Sequence, residues 1–283
     1  MARQLLGKEV TAAMNEKIKS NVAKLQEKGI TPTLGIIRVG EREDDISYER
    51  GATKRCETLG VAYEKFLLPQ DVTEEALLEV IDQVNKNDAI HGVLLFRPLP
   101  KHLNEENIIN ALDFAKDVDG ITDGSLAGVF AGKKQGFPPC TPQGCMEILD
   151  HYGIDCTGKK AVVVGRSLVV GKPAAMMLVQ KNATVTICHT KTKDMPSVVK
   201  EADIVIVAAG RAGVIDGSYL REGQVVIDVG INVSEEGKLC GDVNYAEAKK
   251  IVDAITPVPG GAGSVTTSVL VGHVVEAAMR KYL

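Results

Sequence analysis

The chain has 283 residues, enough for two domains with separate cores, and 45% hydrophobic with 25% charged residues is the balance of a globular protein rather than a disordered or fibrous one. A net charge of -4, from 33 Lys and Arg against 37 Asp and Glu, leaves no basic footprint for nucleic acid or an anionic membrane. No apolar run reaches the roughly 18–20 residues of a bilayer span.

In chain order, residues 7–28 carry Val10, Ala13, Met14, Ile18, Val22 and Leu25 on one helical face. Residues 33–39 read as a buried strand, 47–59 as a helix closed by Gly60, 62–68 as a strand, 73–87 as a helix and 92–96 as a strand. This alternation predicts a parallel α/β sheet with right-handed crossovers. The turn-rich stretch 132–142 is the best boundary, and residues 143–152 then open a second unit as a helix. Further strands at 162–164, 183–188, 204–209 and 224–229 run toward glycines or turns, as strands facing a ligand crevice do. The segment 255–258 closes that sheet, so the last helix, 265–282, is expected to return to the first domain. The expected division is a catalytic domain of residues 1–142 with 265–283, and a Rossmann-type domain of residues 143–264.

The most informative segment is Val162-Val163-Val164-Gly165-Arg166-Ser167-Leu168-Val169-Val170-Gly171-Lys172-Pro173. A β-branched strand enters a glycine turn and then a helix near Pro173, which places backbone N–H groups and a helix N-terminus where a pyrophosphate sits. The spacing is G-x-S-x-x-x-G rather than G-x-G-x-x-G; ordinary α/β packing is the competing explanation. The next strand ends in His189-Thr190-Lys191-Thr192 without the acid that holds an NAD ribose. With Arg166 nearby, this end suits a 2′-phosphate and favours NADP over NAD; the alternative is that Arg166 and Lys191 are solvated surface charges. Six scattered cysteines, with no zinc-ligand spacing, read as reduced thiols and no metal site is expected. The N-terminus lacks the apolar core of a signal peptide, so the expected location is cytoplasmic.

An ordered set of segments resembles the methylenetetrahydrofolate dehydrogenase/cyclohydrolase family: Lys116-Asp117-Val118-Asp119-Gly120, Pro139-Cys140-Thr141-Pro142, the Gly165–Pro173 turn, Asp228-Val229-Gly230-Ile231-Asn232, Gly241-Asp242-Val243 and Thr256-Pro257-Val258-Pro259-Gly260-Gly261. The resemblance spans nearly the whole chain. It implies oxidation of 5,10-methylenetetrahydrofolate by NADP to the methenyl cation, usually followed by hydrolysis to the 10-formyl product. It also implies a folate cleft between the two domains and a homodimer formed through the Rossmann domains. By the same resemblance, Tyr48 packs on the folate and Asp119 binds the pterin's amino and ring N–H groups, both in the catalytic set. Pro259, Gly260, Gly261 and Thr266 are the remaining substrate positions, and Gly165, Arg166, Ser167, Gly171, Thr190 and Ile231 the cofactor positions. A packing role for Tyr48 and a turn-capping role for Asp119 are the structural alternatives.

Three positions near the expected folate site depart from the family pattern. The family carries a lysine four residues after the tyrosine and a glutamine before the Leu-Pro-Leu-Pro segment; here these are Ala52 and Phe96. The family serine three residues before the tyrosine is Asp45. Lys54 falls on the opposite helical face from position 52, while Arg55 shares the face of Tyr48 but stays protonated. Strand alternation turns Arg97 away from position 96 unless the backbone bends. Hydride transfer needs no obligatory protein acid or base, whereas water addition to the methenyl carbon needs proton handling. The expectation is therefore an active dehydrogenase with weak or absent cyclohydrolase. Open alternatives are a fully bifunctional enzyme with a substitute group, and a non-catalytic folate- or nucleotide-binding regulator.

Overall fold

The computed structural model describes residues 1–234 and 236–283. Its first elements are Arg3–Gln4 (β1), Gly7–Gln26 (α1), Thr33–Val39 (β2), Glu43–Leu59 (α2), Ala62–Leu68 (β3), Glu74–Lys86 (α3) and Gly92–Leu95 (β4). Glu105–Ala111 (α4), Asp123–Ala131 (α5), Cys140–His151 (α6), Lys160–Val164 (β5), Gly171–Gln180 (α7), Thr184–Cys188 (β6) and Met195–Lys200 (α8) follow. The chain continues through Ile204–Val207 (β7), Val225–Asp228 (β8), Asn232–Val233 (β9), Leu239–Cys240 (β10), Tyr245–Ala248 (α9), Ala254–Ile255 (β11) and Thr266–Tyr282 (α10).

The chain divides into two compact units. The dinucleotide-type unit comprises Met1–Ala12 and Thr141–Thr266; the other comprises Ala13–Cys140 and Thr267–Leu283. In the first, six parallel strands lie in the order β1-β11-β8-β7-β5-β6, with β9 and β10 as a separate antiparallel pair. Val162, Val164, Val205, Val207, Val226 and Ile255 form the core of one face with Val199, Ile215 and Val252. Near-continuous β-branched runs are what a sheet covered on both faces requires. In the second unit β2 is the central strand of a parallel β3-β2-β4 sheet, and Ile37, Val39, Val93 and Leu95 pack on Leu77, Ile81, Val84 and Ile108.

Three features differ from the sequence reading. Residues 1–12 join the dinucleotide-type unit, because β1 pairs in parallel with β11 (Arg3 with Ala254, Gln4 with Ile255) and the Tyr152 hydroxyl bonds the Leu6 backbone at 2.7 and 3.0 Å. A two-residue exposed edge strand has no hydrophobic period to reveal it. Helix α2 starts at Glu43 rather than residue 47, since Glu43, Asp44 and Asp45 suit the positive end of the helix dipole. Finally, Ala262–Tyr282 has the length and hydropathy of a membrane span, although no continuous apolar run shows it; 67% of it is buried within the protein. Its Gly272 meets Ile18 and its Val274 meets Gly92, the contacts of a core helix.

Candidate active site

The β5–α7 turn is built around two glycines that admit no side chain. Gly165 has φ 130°, and a Cβ there would strike the Ala208 carbonyl oxygen; a Cβ on Gly171 would strike the backbone of Gly165 and Arg166. This close packing is a cradle whose backbone a phosphate can approach. Ser167 Oγ accepts the Val170 N–H at 3.1 Å, so it closes the turn that leads into α7. Arg166 and Ser167 are exposed, as are Thr190 and Lys191 in the turn after β6. That turn is closed by the His189 ring, whose Nδ1 accepts the Lys191 N–H at 3.1 Å, and by Thr192 Oγ1, which accepts the His189 N–H at 2.9 Å. His189 thus serves the turn itself.

Ile231 follows β8 and is 67% exposed. A Cβ on Gly263 would lie 3.2 Å from its Cδ1, so the Pro259–Gly263 segment and Ile231 line one wall of this unit. Pro259 and Gly260 are exposed, Gly261 is buried against Thr256 and Pro257, and Thr266 is buried at the first residue of α10.

Tyr48 and Asp119 come together in the other unit. Tyr48 lies on α2, its ring edge-on to Phe96 with centroids 5.8 Å apart and planes at 84°. Helix α2 is pinned by the neighbouring residue: Glu49 accepts from Arg38 Nε of β2 at 2.8 Å and Lys65 Nζ of β3 at 2.7 Å. Burial works to raise the Glu49 pKa, but Lys65 and Arg38 overcome it and the carboxyl ends below its usual range. Ala52, one turn beyond Tyr48, is fully buried, and Phe96 is 8% exposed. The two positions at which a lysine and a glutamine were absent are therefore filled by a methyl group and a ring.

The two acids of Asp117-Val118-Asp119-Gly120 have different employment. Asp117 is fully buried and caps the turn, Oδ1 accepting the Ile121 N–H at 3.0 Å and Oδ2 the Thr122 N–H and hydroxyl at 2.8 and 2.7 Å. Turn capping thus belongs to Asp117 rather than to Asp119. Burial pushes the Asp119 carboxyl up to about 6, Asp117 adding to the rise, while a Cys140 hydrogen bond and the Arg97 charge oppose it. Burial, then the charges of Asp119 and Cys140, also hold the Tyr48 phenol well above its ordinary range, so it stays a neutral donor.

Sequence reasoning assigned no role to two members of this cluster. The Arg97 charge acts on Asp119, lowering its pKa, and Arg97 lies just past the end of β4 at Leu95, where strand alternation no longer fixes its direction. Cys140 donates to the Val118 carbonyl at 3.2 Å and sits 3.9 Å from His273 Nδ1. Burial and the Asp119 charge keep the thiol protonated, and burial lowers the His273 pKa, so the pair is not an activated nucleophile. Asp45 is buried at the start of α2, 4.0 Å from Arg42, with its carboxyl raised mainly by burial. Lys54 is exposed. Among the described residues, no cluster of three or more His, Cys, Asp or Glu side chains could hold a metal ion.

Comparison with known proteins assigns both units. Residues 5–119 match the catalytic domain of tetrahydrofolate dehydrogenase/cyclohydrolase, and residues 139–282 match its NAD(P)-binding domain. The bifunctional protein FolD of Carboxydothermus hydrogenoformans is 54% identical over 279 residues, covering 98% of this chain and 97% of its own. The crystal structure of the bifunctional FolD methylenetetrahydrofolate dehydrogenase/cyclohydrolase of Campylobacter jejuni superposes with a TM-score of 0.97 at 38% identity, over 99% of this chain and all of its own. The Trypanosoma brucei FolD structure, solved with NADP and an inhibitor, gives 0.92 at 33% identity, covering 99% and 98% of the two chains. Matched along both of its units, the chain belongs to the tetrahydrofolate dehydrogenase/cyclohydrolase family.

Proposed function

We propose that this protein is an NADP-dependent 5,10-methylenetetrahydrofolate dehydrogenase whose methenyltetrahydrofolate cyclohydrolase activity is weak or absent. One observation carries the first half: both family domains are matched in a single chain whose glycine cradle fits a pyrophosphate. Gly165, Arg166, Ser167, Gly171, Thr190 and Ile231 hold the cofactor, with Arg166 and Lys191 facing the 2′-phosphate. NADP held there would supply the hydride acceptor for oxidation of the methylene carbon to the methenyl cation. Tyr48 orients the ring system, and Asp119, ionised, accepts the paired N–H donors of the pterin. Pro259, Gly260, Gly261 and Thr266 complete the substrate contacts.

The second half rests on Ala52 and Phe96. Neither bears a group that takes or gives a proton, and the Phe96 ring meets Tyr48 edge-on without offering it a polar atom. Water addition to the methenyl carbon therefore lacks its proton-handling group. Full bifunctionality is the second reading, supported by similarity to a bifunctional FolD protein that is 54% identical. Saturable reduction of NADP by methylenetetrahydrofolate tests the dehydrogenase; no reduction at saturating substrate would overturn it.

We also infer a homodimer through the dinucleotide-type unit and a cytoplasmic location. Exposed Val233 and Leu239 on the β9–β10 pair support the first, and six free thiols the second. Sedimentation of the protein as a monomer, or its recovery outside the cytosolic fraction, would remove one or the other.

A further inference from the structure

Three stretches within the segments that carry the family resemblance, Asp228-Val229-Gly230, Gly241-Asp242-Val243 and Thr256, lie outside the proposed cofactor and substrate contacts. The structure joins them in one hydrogen-bond network. Asp242 is fully buried, and its carboxylate takes four donors. Oδ2 accepts the N–H groups of Ala209 at 2.6 Å and Gly210 at 2.8 Å, and Oδ1 accepts the Arg211 N–H and the Asn232 side-chain amide, each at 2.9 Å. Asp228 holds Asp242 in turn: Oδ1 accepts the Gly230 and Asp242 N–H groups at 2.9 and 3.0 Å, and Oδ2 accepts the Val243 N–H at 3.0 Å. Thr256 Oγ1 accepts the Asp228 N–H at 2.8 Å.

The location of the network matters. Residues 208–211 leave the end of β7 and residues 229–232 leave the end of β8. In the order β8-β7-β5-β6, the pyrophosphate cradle lies after β5 and the 2′-phosphate end after β6. The rest of an extended dinucleotide must then run over the ends of β7 and β8. Both loops there have exposed residues, Ala209, Gly210 and Ile231, above a carboxylate that no solvent reaches. Gly230 is tightly constrained as well, since a Cβ there would strike Asp242.

We propose that Asp242 is a positioning residue for the dehydrogenase reaction: it ties the loops after β7 and β8 together and so sets the wall, Ile231 included, that receives the nicotinamide half of NADP. This rests on the cofactor reading above. Asp242 touches neither cofactor nor substrate; it acts by presenting one fixed acceptor to four converging donors. An amide at that position would aim its own N–H groups at those donors and release at least one loop.

The test compares NADP with adenosine 2′,5′-bisphosphate, a probe that carries the 2′-phosphate and adenosine but no nicotinamide. For Asp242→Asn, the NADP dissociation constant should rise about tenfold or more, while that of the bisphosphate stays within twofold. In steady state the KM for NADP should rise and the KM for methylenetetrahydrofolate should hold. Asn232→Ala, which removes a single tie from a half-buried side chain, keeps the test decisive should the first variant fail to fold: it should weaken NADP about threefold and leave the bisphosphate unchanged. Equal losses for both ligands, or an unchanged NADP affinity in either folded variant, overturns the inference. Wild-type protein that bound neither ligand would instead refute the cofactor reading, and the inference with it.

Discussion

Replacing Asp119 by Asn should make the protein more stable and a poorer binder of folate. The Asp119 carboxyl is raised from 3.8 to about 6, chiefly by burial, so ionising it at neutral pH costs the folded state free energy. About two units at 1.36 kcal/mol each give about 3 kcal/mol, and because the side chain is partly exposed, solvent screening reduces this to about 1–2 kcal/mol. The folded state holds the proton more tightly than the unfolded chain between 3.8 and about 6, so this contribution to stability is fully present below 3.8 and is lost as pH rises through about 6. Asp119→Asn removes the ionisation, and its melting temperature at pH 7.5 should exceed the wild type by about 3–6 °C, the gap narrowing as pH falls below 6. On the proposed substrate reading, the same change replaces a charged acceptor for the pterin by a neutral one. Loss of charge-assisted hydrogen bonds of about 1.5–3 kcal/mol should raise the KM for methylenetetrahydrofolate about 10–100-fold, with the KM for NADP unchanged. Thermal melting at two pH values and initial-rate kinetics measure both halves. A variant that melts lower than the wild type, with folate KM unchanged, would show that Asp119 is a structural group and refute the reasoning.

Other outcomes follow from the same cluster and from the cofactor turn. The double variant Ala52→Lys with Phe96→Gln should raise the rate of methenyl hydrolysis about 100-fold or more, since general acid–base groups contribute on that order; an unchanged rate in a folded variant would mean that something other than these positions limits it. Arg97→Leu removes the cation that lowers the Asp119 pKa, so the pH below which folate KM climbs should move upward; an identical KM–pH profile would show that Arg97 does not act on Asp119. Arg166→Ala with Lys191→Ala should raise the KM for NADP about tenfold while leaving that for NAD within twofold, and equal effects on both would dissociate these cations from the 2′-phosphate.

Much of this architecture is legible in the sequence because buried parallel strands leave continuous β-branched runs such as Val162–Val164 and Ile204–Val207, bounded by glycines. The edge strand Arg3–Gln4 is not legible: its two exposed polar residues have no period, and only its partner Ala254–Ile255, some 250 residues away, defines it. The cofactor turn could be read locally because strand, glycines and helix are contiguous. Asp117 and Asp119 could not be told apart locally, since their roles differ only in which donors the fold delivers to each. The side taken by Arg97 could not be read locally, because alternation holds only while the strand lasts, and β4 stops at Leu95. The role of Asp242 was hidden for a related reason: its donors come from positions 209–211 and 232, and no spacing rule links them.

The central claim is that hydride transfer survives where hydrolysis does not. The most direct measurement incubates purified protein with methylenetetrahydrofolate and NADP, following NADPH and methenyltetrahydrofolate together, with and without terminal acidification. Methenyltetrahydrofolate accumulating without acid in step with NADPH, and decaying only at its uncatalysed rate, is the result expected. Direct appearance of 10-formyltetrahydrofolate, with no methenyl intermediate until acid is added, would contradict it.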